Sequence, residues 1–179
     1  MILIPTEEWC WTFEQSSSTL LLNLHNQMQF QVGIPSKQLN KSLCFDQPFS
    51  LDDVSHYYHF LECLGEFPFS DPERVQIVLN AIAAINFTKP SVPNGRCYRD
   101  VGEITCAPNK GQVFSVVTHY GYGDVMTLTS NENASFCILI SPSLQTQADE
   151  VLQQSAVFKV MNSKLLSYHS ACSYLSKLA

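Results

Sequence analysis

His56 and His59, three apart in "HYYH", come nearest of any pair to a spacing that does chemistry. On a helix they share a face, and Glu62 continues the row. A metal site needs three or four ligands, and no further ligand cluster accompanies this one. The expectation is a surface or half-buried pair and no metal. His119, Asp124 and any serine are the residue types of a nucleophilic triad, but no G-x-S-x-G elbow or similar signature is present. "GYGDV" lacks the third glycine and the following helix of a phosphate cradle, so it reads as a hairpin. The adjacent acids Glu7-Glu8 and Asp149-Glu150 would point to opposite faces of a strand. Asp52-Asp53 suits the first turn of a helix, where the macrodipole favours acids. No catalytic constellation emerges, and neither an enzyme nor a cofactor is expected.

The totals narrow the classes further. The chain has 179 residues, 45% of them hydrophobic and 15% charged, so it should fold as one domain or two small ones. Its net charge of -6, with ten Lys and Arg, argues against general nucleic-acid binding, which needs dense cationic patches. Seven cysteines, an odd number with no C-x-x-C pair, argue against a zinc ribbon or a thioredoxin-type motif. They read as buried free thiols in a reducing cytosol. The opening "MILIPTEEW" has neither the basic stretch nor the long apolar stretch of a signal peptide. "VQIVLNAIAAINF" is too short and too interrupted to span a bilayer. A cytoplasmic protein without membrane contact is expected.

The elements that would position any site follow from periodicity. Residues 8–14, 19–25 and 28–32 alternate apolar and polar side chains and read as strands of an antiparallel meander. The turns are "QSSS" and Asn26-Gln27. Two readings of its apolar face stay open: the wall of a core, or an aromatic platform that grips a ligand through Trp9 and Trp11. Three helical segments follow. "SKQLNKSLC" is short, with Ser36 as a candidate cap. "SLDDVSHYYHFLECLG" opens with a capping box, Ser50 and Asp53, and carries a stripe of Val54, Tyr57, Tyr58, Leu61 and Leu64. "SDPERVQIVLNAIAAINF" is capped by Ser70, with Pro72 and Glu73 in its first turn, and is apolar nearly all round. It should bury itself on the meander.

"TKPSVPNGRCYRDVG" changes character and marks a boundary. Domains are expected at 1–92 and 93–179. Beyond the boundary come short strands, including "AVFKVM" and "KLLSY" around a hairpin-like turn at Asn162-Ser163. The expected fold class is α+β: an N-terminal antiparallel meander packed with helices, followed by a small twisted β-barrel-like domain. Few residues are basic, so their places matter. Lys89, Arg96 and Arg99 lie at the boundary, and Lys159 and Lys164 flank the later turn. If the second domain folds back on the linker, they form a positive mouth that docks an acidic peptide. The alternative is a set of solvated charges.

A resemblance joins several of these stretches. Pro5, Trp9 and Trp11 spaced P-x-x-x-W-x-W, "LLLNLHNQMQF", "VLNAIAAINFTKP", "NENASFCIL" and "FKVMNSKL" together resemble the ZapC family of FtsZ-associated cell-division proteins, in order and at similar spacing. The resemblance implies a cytoplasmic, non-enzymatic protein at the midcell division ring. It would bind FtsZ, promote lateral association of FtsZ protofilaments and dampen GTP hydrolysis. An N-terminal α/β domain and a barrel-like β domain are implied as well. Lys89-Pro90 matches the family's Lys-Pro after the long helix. Met161-Asn162 matches its Met-Asn, with Lys164 where the family has Arg. Leu22 matches a leucine of the meander, as core or as the edge of a pocket. The partner would be the FtsZ polymer or its C-terminal tail, and the chain a monomer with two contact surfaces. A peptide adaptor, or a small-molecule domain with a site between two lobes, remain the competing readings.

Overall fold

The computed structural model describes residues 2–40, 46–89, 97–102, 104 and 106–168. The chain divides into two compact units, residues 1–89 and 90–179.

In the first unit the alternation is realised as β1 (Cys10–Glu14), β2 (Thr19–Asn23) and β3 (Gln29–Gln31). Ser18, Asn26 and Gln27 take the left-handed backbone angles that the two turns require. A short β4 (Gln47–Pro48) adds to the far edge, giving the order β3-β2-β1-β4. Trp11 stands opposite Leu22, and Leu22 opposite Phe30. Trp9 and Leu22 are 0% exposed and Trp11 2%. This settles the two readings of the apolar face: the tryptophans are core, not a ligand platform.

Two helices bury that face. α1 (Leu51–Cys63) carries the expected capping box: the Asp53 backbone N–H donates to Ser50 Oγ, and the Ser50 N–H donates back to the Asp53 carboxylate. Its inward stripe is rotated from the expected one. Asp53, Tyr57, Phe60 and Leu64 are buried, whereas Tyr58 is half exposed. A stripe chosen by hydrophobicity alone passes over a buried carboxylate. α2 (Asp71–Phe87) is buried nearly all round, as its composition predicts. Phe87 meets Trp11 edge to face at 5.4 Å, and Asn80 Oδ1 accepts a hydrogen bond from the Gly33 N–H at 2.7 Å. Among its described residues the segment from Ser36 forms a 3-10 turn, Ser36–Gln38, and residues 41–45 lie outside the described ones.

The second unit contains β5 (Val113–Val117), β6 (Tyr122–Ser130), β7 (Ala134–Leu139), β8 (Ser143–Gln147), β9 (Glu150–Gln153), β10 (Val157–Met161) and β11 (Leu165–Ser167). The expected barrel is not there. Five strands form an open antiparallel sheet in the order β10-β7-β6-β5-β11, and β8-β9 pair as a separate hairpin. Closure would require a ladder between the end strands β10 and β11. The turn at 162–164 is a 3-10 turn rather than a hairpin, and β11 leaves it to pair with β5. Asn162 holds that turn elsewhere: its amide donates to the carbonyls of Asn131 and Glu132, and Ser135 Oγ donates to its Oδ1. One face of the sheet forms a core of Phe114, Val116, Val125, Cys137, Leu139, Phe158 and Leu165. Met126, Leu128 and Ile138, on the other face, are also 0% exposed. Burial on both faces explains why "SFCILI" is continuous rather than alternating.

Candidate functional site

The candidate basic residues fall into separate settings. Lys89 is exposed at the end of the first unit, just beyond α2. Its backbone N–H donates to the Gln38 carbonyl, and Thr88 bridges to Leu39, so the exit of the helix is tied down while the ammonium stays in solvent. Leu22 lies in the core of the same unit and contributes shape rather than a contact surface. Arg96 lies outside the described residues.

Arg99 and Lys164 share a neighbourhood in the second unit. Tyr98 bridges to Thr118 and stacks on Phe158 at 5.5 Å, which fixes the segment that carries Arg99. The Arg99 N–H donates to the Val117 carbonyl at 2.7 Å. Arg99 Nε is buried and has no hydrogen-bond partner among the described residues. The following residues lie on the 3-10 turn, with the N–H groups of Val101 and Gly102 both donating to the Ser163 carbonyl at 2.9 Å. Gly102 sits at φ 64, a region glycine enters freely. Lys164 Nζ lies 3.6 Å from Asp100 Oδ2, and its side chain is mostly buried while the aspartate is largely exposed. Asp100 therefore offsets part of the charge that the sequence suggested would be free. Glu150 also acts on Cys97, as Lys164 does, so two carboxylates accompany the two cations here.

Lys159 stands apart from this group. It lines an open depression of about 130 Å³ with Thr129, Ser130, Asn131, Ala134 and Phe136. The single positive mouth of the sequence reading is thus divided, within this unit, between the Arg99–Lys164 region and the Lys159 depression. Local sequence signals did not mark Thr129, Asn131 or Phe136, because strand register brings them to Lys159.

Chemistry beyond charge is sparse. Among the described residues no three His, Cys, Asp or Glu are placed to hold a metal ion. His59 Nε2 and Cys63 Sγ lie 3.7 Å apart on α1. Burial pushes the Cys137 thiol up to about 12, as expected of a packed thiol rather than a nucleophile. Cys10, Cys63, Cys97, Cys106 and Cys137 are unbridged. No helix among the described residues is long and apolar enough to cross a membrane.

Comparison with known proteins covers both units. Residues 2–89 match the family described as cell-division protein ZapC, N-terminal, and residues 90–171 match cell-division protein ZapC, C-terminal. A cell division protein ZapC of Tolumonas auensis is 56% identical over 179 residues, the full length of both chains. The proteins of the same description from Aeromonas hydrophila and Proteus mirabilis are 30% and 31% identical, over 92% and 94% of this chain and 92% of each relative.

Proposed function

The chain belongs to the ZapC family of cell-division proteins, and from that premise we propose that it binds FtsZ at the division ring in the cytoplasm and draws FtsZ protofilaments together side by side. It acts by contact and not by a reaction of its own. The observation that carries this reading is the match of both units, in order, to the two halves of one division-protein family.

Cross-linking needs at least two contacts per particle. Two units, each with its own core, are able to present two surfaces without dimerisation, and joining two weak contacts multiplies their effect through effective concentration. The Arg99–Lys164 region is the proposed contact of the second unit, and Lys89 belongs to that of the first. Slower GTP turnover follows if bundled filaments shed subunits slowly, with no residue inserted at the nucleotide.

The test is sedimentation of FtsZ with GTP, with and without the protein. Co-pelleting with thicker bundles is the expected result. Co-pelleting without bundling would replace the cross-linker by an adaptor, and no association would remove the reading. Lys164→Met keeps the aliphatic stem and removes the charge. It is expected to weaken co-pelleting severalfold while moving the thermal midpoint by only a few degrees, since the aliphatic stem keeps its packing and an ion pair whose carboxylate is largely exposed contributes under about 1 kcal/mol.

A further inference from the structure

Three residues from three different strands stand abreast on the five-stranded sheet. Thr129 on β6 is opposite Phe136 on β7, and Phe136 is opposite Lys159 on β10. The register of β6 against β7 shifts between Thr127 and Thr129, and this bulge is what brings Thr129 into the row. Bulges commonly re-aim a side chain in this way. The row and the adjoining turn line the depression of about 130 Å³. That volume is enough for a carboxylate with its first methylenes, given that a water takes about 30 Å³.

The rim of this depression is rich in donors. Lys159 makes no ion pair among the described residues, and Thr129 is exposed. Asn131 Oδ1 already accepts from the N–H groups of Asn133 and Ala134, at 3.0 and 2.9 Å, so its amide NH2 is the part left for a ligand. Ser130 Oγ is engaged with the Pro108 carbonyl. Among the described residues no carboxylate lines the site. A cation, a hydroxyl and an amide lining the same depression as Phe136 match an anionic acceptor on a short aliphatic stem. The turn is already braced by Asn162, which limits the ordering needed on binding.

We infer that this depression is a subsite for one carboxylate side chain, Asp or Glu, of a partner protein. The inference rests on the proposed function only in taking a protein as the occupant. It is tested on the full chain by 15N chemical-shift titration with the peptide acetyl-Ala-Glu-Ala-Glu-Ala-amide and its Gln counterpart. The Glu peptide should shift the amide signals of Thr129, Asn131 and Phe136, and the Gln peptide should not. Lys159→Met should weaken the Glu peptide about tenfold, and Thr129→Val severalfold. Equal shifts with both peptides, no shift with either, unchanged affinity in Lys159→Met, or a response to inorganic phosphate alone would overturn the inference. The two readings fail separately. Loss of the peptide response while FtsZ still bundles removes the subsite alone. A peptide response without FtsZ association removes the proposed function alone.

Discussion

Asp53 accepts three hydrogen bonds: from the Ser50 N–H at 2.9 Å, from Trp11 Nε1 at 3.3 Å and from Asn86 Nδ2 at 2.6 Å. It is 3% exposed and sits at the start of α1, where the helix dipole favours a negative charge. One side chain thus joins the cap of α1, a core tryptophan of β1 and the last turns of α2. Asp53→Ala leaves Trp11 Nε1 buried without an acceptor, and a loss of about 2 kcal/mol is expected in urea unfolding. Asp124 is the opposite case. Burial raises its carboxyl above the ordinary value, and the hydrogen bond from Ser115 Oγ opposes that only in part. A raised folded-state value means that protonation favours the fold. The group's stabilising contribution is complete below the unfolded Asp value, about 3.9, and fades as pH rises through the folded one. Asp124→Asn should therefore unfold at a higher urea midpoint than the parent at pH 7, and the gap should shrink as pH approaches 4. A gap that widens on acidification would contradict this.

Asn162 acts at the scale of elements, tying the β10–β11 connection to the β6–β7 turn. Asn162→Ala removes both anchors and is expected to cost about 2 kcal/mol and to speed amide exchange at residues 131–134. Exchange unchanged at those amides would show the turns to be independent. This tie is also why the sequence misled. Two strand-like runs around Asn-Ser read as a hairpin by local rules, but the pairing of β11 with β5 is long-range and leaves no local trace. The barrel expectation fell with it. β8 and β9 carry little strand signal in the sequence because Ser, Gln, Thr and Glu make up most of them, although Leu144 is buried. By contrast β1, β2, β3 and α2 were legible: one buried face enforces alternation, and Ser70 with Glu73 marks the start of the helix. The Glu73 carboxylate accepts from both the N–H and the Oγ of Ser70. Of the candidate site, charge positions were readable. Their partners were not, because Asp100 beside Lys164 and Thr129 near Lys159 depend on tertiary register.

At the scale of the whole molecule, both units carry a core of their own, Trp9, Trp11, Tyr57 and Phe60 in one and the Phe114–Leu165 cluster in the other. We propose that two such units on one chain give two FtsZ contacts. Covalent linkage then matters more than either surface, because separate weak contacts lack the effective concentration that a shared chain supplies. The direct measurement is light scattering, with electron microscopy, of FtsZ and GTP mixed with the intact chain, with fragment 1–89, with fragment 90–179, or with both fragments unlinked. Bundles are expected with the intact chain and none with either fragment or with their mixture. Bundling by fragment 1–89 alone, equal to that of the intact chain, would contradict this proposal.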